Sequence, residues 1–128
     1  IRIRENGAFP SGSAYLQNQF KPIIQKIAVL LNEVPGEITV SGHTDDTQVN
    51  SELFANNWDL SARRAVAVAS VLEKVNGINA TRIQVMAFAD KKPLVANTSV
   101  ENRRINRRVE IAIAQGKAKQ AGTIELID

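Results

Sequence analysis

The chain has 128 residues, the length of one ordinary domain, and is 44% apolar and 23% charged, as soluble globular proteins are. It has no cysteine, which excludes a disulfide framework, a cysteine zinc cluster and a thiol nucleophile. Its net charge of +3 comes from 16 basic and 13 acidic residues mixed along the chain, which is weak evidence for a polyanionic partner. There is no apolar run of membrane-spanning length and no signal-peptide pattern. The chain opens Ile1-Arg2-Ile3-Arg4 without a methionine, which suggests a fragment or processed product from which a membrane segment was removed.

In chain order, residues 1–4 alternate apolar and basic, which predicts a short edge strand. Asn6-Gly7 and Phe9-Pro10-Ser11-Gly12 are loop chemistry. Phe20, Ile23, Ile24, Ile27, Val29, Leu30, Leu31 and Val34 recur at helical spacing and predict a helix over 13–33, either kinked at Pro22 or starting near Lys21. Pro35-Gly36 ends it. Residues 37–42 read as a strand with Ile38 and Val40 on one face, and 43–57 are polar without periodicity. Residues 60–76 form a second helix buried through Ala65, Val68, Ala69, Leu72 and Val75, stopped by Asn76-Gly77. A third strand over 82–89 and a helical turn over 100–104 precede a strand over 106–114. In that last strand Ile105, Arg107, Val109, Ile111 and Ile113 share a face. The order β-α-β-α-β-(α)-β predicts an α/β (α+β sandwich) domain over 1–114, with a mixed four-stranded sheet carrying helices on one face. The tail 115–128 is read as disordered or paired with a sheet edge.

Polar chemistry concentrates in two places. Gly42-His43-Thr44-Asp45-Asp46 follows a strand end, where a rigid sheet positions a loop. Asn57-Trp58-Asp59-Leu60-Ser61-Ala62-Arg63-Arg64-Ala65 opens a helix with Asp59 or Ser61 as the cap. Arg63 and Arg64 would then lie in the first turn, where cations are disfavoured by ~0.3–1 kcal/mol each, so another use is implied. An arginine fork beside free backbone N–H groups receives a carboxylate. With Asp45 opposite, Arg64 and Asp45 read as a clamp for a zwitterionic amino-acid head group. The plainer alternative is a salt bridge between Asp45 and Arg64, and from these residues alone it is favoured.

The motifs Gly42-His43-Thr44-Asp45, Leu60-Ser61 with Arg64-Ala65, and Asn106-Arg107-Arg108-Val109-Glu110 resemble the OmpA-like domain family in order and spacing, over 8–114. The resemblance implies non-covalent binding of the meso-diaminopimelate residue of peptidoglycan, with Asp45 and Arg64 carrying recognition and Arg107 also lining the site. It adds Thr44, Leu60 and Ser61 as site residues and His43, Asp46, Asn57, Arg104 and Arg108 in support. Phe9-Pro10-Ser11-Gly12-Ser13-Ala14, Asp45-Asp46, Asn57-Trp58-Asp59-Leu60-Ser61 and the stretch 97–104 resemble the flagellar stator B subunits, MotB and its sodium-driven relative PomB, PomB being preferred. The resemblance implies a non-enzymatic wall anchor, the periplasmic domain of an inner-membrane protein. Its implied partners are peptidoglycan, a second copy of itself, the stator A subunit through a membrane segment, and periplasmic motor ring proteins. An outer-membrane tether of the OmpA or Pal type is the alternative.

Other chemistries fare less well. One histidine cannot build a two-histidine metal site, and no cofactor or catalytic group is expected. A His43-Asp45-Ser61 hydrolase triad lacks a nucleophile elbow. Asp45 and Asp46 are adjacent and, in a strand, would face opposite ways, which does not suit a glycosidase pair; Asp46 either binds a cation or is solvated. Arg103, Arg104, Arg107 and Arg108 look like a phosphate stripe, but no aromatic residues interleave with them, so nucleic acid is the weakest reading. Trp58 is expected to pack under the site loop, and Phe9, Phe20, Phe54 and Phe88 to anchor core or loops.

Overall fold

The computed structural model describes residues 1–75 and 77–114; the predicted tail over 115–128 lies outside them. Four strands form one mixed sheet, β1 (Arg2–Arg4), β2 (Glu37–His43), β3 (Ile83–Ala87) and β4 (Arg108–Ala114), in the order β1-β4-β2-β3. β2 is parallel to β3 and antiparallel to β4, which is antiparallel to β1. The β2–β3 crossover is a helix, as parallel pairing requires. The register aligns Ile3, Ile38, Val40, Val109 and Ile111 on one face. These pack against Ile24, Ala28 and Leu31 of α1 (Lys21–Asn32) and Ala65, Val68, Ala69 and Leu72 of α2 (Asn57–Glu73). The α/β class and the mixed four-stranded sheet with helices are as the sequence predicts.

Several boundaries differ. The first helix takes the later of its two expected starts, Lys21, with Pro22 in its first turn after a 3-10 turn at Asn18–Phe20, and does not extend back to residue 13. Proline cannot donate there and need not. Ile23, Val29 and Leu30 of the predicted apolar set are exposed. Arg82 braces the turn that leaves α1, donating to Val34 O at 2.5 Å and Gly36 O at 2.8 Å and reaching Leu31 O in the last helical turn at 3.4 Å. The second helix starts at Asn57, three residues before the predicted start. Its cap is Asn56, whose side chain accepts from Asp59 N at 2.9 Å, so neither Asp59 nor Ser61 is the cap. The short helix is longer than predicted, α3 (Val100–Asn106). It takes in Ile105 and leaves Arg107 as its cap, so neither residue belongs to the last strand.

Candidate functional site

β2 delivers the first motif. Gly42 is needed because its strand lies against the start of α2: a Cβ there would stand 2.0 Å from Ser61 O. Past the strand, Thr44 N donates to Ala89 O at 2.8 Å, and Thr47 N donates to Asp45 Oδ1 at 2.8 Å. This turn fixes the Asp45 carboxylate, only 5% exposed. Ser61 joins helix to loop: its hydroxyl donates to Trp58 O at 3.1 Å and accepts from Ala89 N at 3.2 Å. It is fully buried and stitches these elements together, while Leu60 beside it lines the site cavity.

Arg64 lies in the second turn of α2, not the first, so the helix end does not aid it as predicted. It is 2% exposed, over the Phe9 ring at 5.0 Å. It donates to Ser13 O at 2.8 Å, Pro10 O at 3.3 Å and Glu5 Oε2 at 2.7 Å. Arg107 donates to Glu5 Oε1 at 3.0 Å and Asp45 Oδ2 at 2.6 Å. Burial works against the Arg107 charge, but Asp45 and Glu5 outweigh it and hold its pKa above the ordinary arginine value. The charges therefore alternate Asp45, Arg107, Glu5, Arg64. The direct Asp45–Arg64 salt bridge, the plainer expectation, does not form: each group pairs with an intermediate partner.

Both predicted clamp residues nevertheless line one cavity of about 350 Å³, together with Thr44, Thr47, Asn57, Leu60, Arg107 and Glu5. Asn57 donates to Thr47 O at 3.1 Å, and its Oδ1, shielded from solvent, accepts nothing from the described residues. A second, larger cavity of about 650 Å³ shares Glu5, Ser11 and Arg107 and adds Arg4 and Arg104.

The remaining candidates sit elsewhere. His43 points with Ser41 to the sheet face away from the core, where its Nε2 and Ser41 Oγ are 3.0 Å apart and its ring stacks on Phe88. With Ser61 bonded to Trp58 and Ala89, the two do not form a triad with Asp45. Asp46 pairs with Arg103 at 3.1 Å, so it is not merely solvated. Arg104 pairs with Glu101 at 3.1 Å, and Arg108, buried, pairs with Glu110. Trp58 is 48% exposed and so does not pack under the loop as expected, while Phe9 and Phe54 are buried. Asn106, absent from the predicted set, is fully buried and clamps the loop before α3. Its Oδ1 accepts from Leu94 N and Val95 N, and its Nδ2 donates to Val95 O and Asn97 Oδ1. Glu5 was also missed. Two predicted site guanidiniums, buried Arg64 and partly buried Arg107, against one predicted carboxylate left a charge unbalanced, and that imbalance was the available signal.

A mixed-sheet domain holding paired, opposite charges around a loop-and-helix cavity has the makings of a small-head-group binding module. The chain belongs to the OmpA family, whose model matches residues 8–107. Motility protein B of Bacillus subtilis is 32% identical over 88% of this chain and 44% of its own length. Among solved structures, the cell wall anchor of the T6SS from Pseudomonas aeruginosa superposes with a TM-score of 0.80 at 36% identity, covering 89% of this chain and 80% of that one. The periplasmic domain of Helicobacter pylori MotB gives 0.77 at 31% identity, over 87% and 78%. The chain spans less than half the length of the curated relatives it matches.

Proposed function

We propose that this domain binds peptidoglycan non-covalently and anchors a flagellar motor stator to the cell wall. The observation that carries the reading is the single cavity with Asp45, Arg64 and Arg107 in its wall. An amino-acid head group presents an ammonium and a carboxylate on one carbon. Asp45 and the unpaired Asn57 Oδ1 suit the ammonium, and the two guanidiniums suit the carboxylate. The diaminopimelate side chain of a stem peptide ends in such a group. Thr44 and Leu60 shape the wall, and Ser61 supports it from behind. The adjoining cavity, with Arg4 and Arg104, suits the rest of the stem peptide.

The function is holding, not catalysis. The relatives named motility protein B, and a structural neighbour described as a cell wall anchor, support that role. The proposal covers stator B subunits as a class, MotB and PomB together. It includes a periplasmic domain joined to an inner-membrane segment, a dimer, and a stator A partner reached through that segment. Periplasmic motor rings complete the set of partners. Two linked copies would raise a weak individual grip through effective concentration.

Co-sedimentation with purified sacculi tests the reading. Asp45→Asn keeps the side-chain size and removes the ammonium's countercharge, and its pelleting is expected to be lost while the fold survives. Arg64→Ala should lose pelleting too. Pelleting of Asp45→Asn at the unmutated level would refute the clamp.

A further inference from the structure

Glu5 belongs to none of the three motifs, yet it occupies the middle of the charge chain. β1 ends just before it, and Glu5 N donates to Arg107 O at 3.1 Å, so the residue starts beside the site. The turn that follows has Asn6 at φ −62°, ψ 119° and Gly7 at φ 91°, ψ −25°, the central pair of a type II turn. Glycine is suited to that second position, and the turn reverses the chain behind Glu5. The two carboxylate oxygens then reach one guanidinium each, Arg64 at 2.7 Å and Arg107 at 3.0 Å. Bridging two guanidiniums is what the carboxylate of a bound head group would do in this cavity.

We propose that Glu5 is the specificity-determining residue of this site: it fills the carboxylate seat between Arg64 and Arg107, and binding exchanges it for the ligand's own carboxylate. The inference rests on the clamp reading above. Two carboxylates and two guanidiniums leave the site's formal charges balanced, which matches a neutral zwitterion and not an anion. A simple carboxylate would trade one anion for another and would compete with a tethered one at high effective concentration. A zwitterion makes the same trade and adds ammonium contacts at Asp45 and Asn57 Oδ1. Only the second exchange has a net gain. Glu5 stands in the wall shared by both cavities, so the displaced carboxylate has polar space to enter beside Asn6 and Gln17.

The test compares unmutated protein, Glu5→Gln and Glu5→Asp in sacculus pelleting, with free meso-diaminopimelate or pimelate as competitor. Pimelate has the same carbon chain and carboxylates without the amino groups. Glu5→Gln removes the internal anion, so its retention is expected to tighten by about threefold to tenfold. Pimelate, ineffective against the unmutated domain, should now compete. Glu5→Asp keeps the charge but is one methylene too short to span both arginines, and should shift the same way by less. Weaker retention of a folded Glu5→Gln domain would show that Glu5 only braces the arginines and would overturn the exchange. Loss of fold in both variants, followed by thermal melting, would overturn it as well. Failure of the unmutated domain to pellet is a different result, and it would remove the anchoring reading itself.

Discussion

At the scale of single residues, burial decides how His43 carries its proton. The ring is 4% exposed, and burial, with Arg108 adding to it, lowers its pKa from the ordinary 6.5 to about 4; Glu110 opposes this. The folded protein therefore keeps His43 neutral where the unfolded chain would protonate it. Stability is full above pH 6.5 and falls as pH drops from 6.5 towards 4, at no more than about 1.4 kcal/mol per pH unit. Glu110 adds a lower window. Burial raises its pKa, but Arg108 outweighs this and leaves it below the ordinary 4.5, so its contribution is present above 4.5 and fades as pH falls further. Thermal melts of the unmutated protein and His43→Gln across this range should diverge between pH 6.5 and 4, the variant's curve being flatter; parallel curves would remove His43 from the account. Asp45 and Arg64 stood out in sequence because charged groups at a strand end and near a helix start are unusual placements, but the pairing of Asp45 with Arg107 and of Arg64 with Glu5 was not legible there. Glu5 was not legible, since its role depends on a turn that brings it 59 residues in sequence from Arg64 to a 2.7 Å contact. Arg107 was placed in the site by resemblance, but its partners, Asp45 and Glu5, are supplied by the protein.

Elements follow their periodicity in kind and depart from it at their ends. All four strands and the two long helices lie where the alternation and the 3.6-residue stripe put them; β1, β2, β4 and both helices bury an apolar face in one core, while β3 adds only the partly buried Ile83 to it. Of the two readings of the first helix, the start near Lys21 holds and the kinked helix over 13–33 does not: Phe20 continues the apolar pattern backwards, but into a 3-10 turn and not into the α-helix. Only Pro22 marked the true start. The predicted start of the second helix is too late, since Asn57-Trp58-Asp59 carries no buried apolar stripe, Trp58 being 48% exposed. Its start is set by hydrogen bonding: Asn56 accepts from Asp59 N, and Asp59 in turn accepts from Ala55 N at 3.1 Å. Asn56→Ala removes the cap and is expected to lower stability by about 1 kcal/mol. Denaturant unfolding should show this as a lower midpoint with an unchanged slope. An unchanged midpoint would mean that packing of Leu60 and Ala65, and not the cap, sets the helix start.

For the whole molecule, the question is how a net positive charge is spent. The four arginines that looked like a phosphate stripe all have carboxylate partners: Arg103 with Asp46, Arg104 with Glu101, Arg107 with Glu5 and Asp45, Arg108 with Glu110. A polyanion binder owes much of its affinity to counterions released from phosphates, and its log affinity falls with log salt by about 0.9 per phosphate neutralised. With these four arginines already paired, the stripe offers few such contacts. Recognition of a neutral head group in a cavity of balanced charge releases almost no counterions, and partly buried pairs are little screened. Retention on sacculi is therefore expected to change by no more than about threefold between 50 and 500 mM salt, while retention on duplex DNA should be weak at 50 mM and absent at 500 mM. A steep loss of sacculus binding with salt would move recognition from the cavity to the domain's basic surface. In that case Arg4 and Arg104, not Asp45 and Arg64, would be the residues to mutate next.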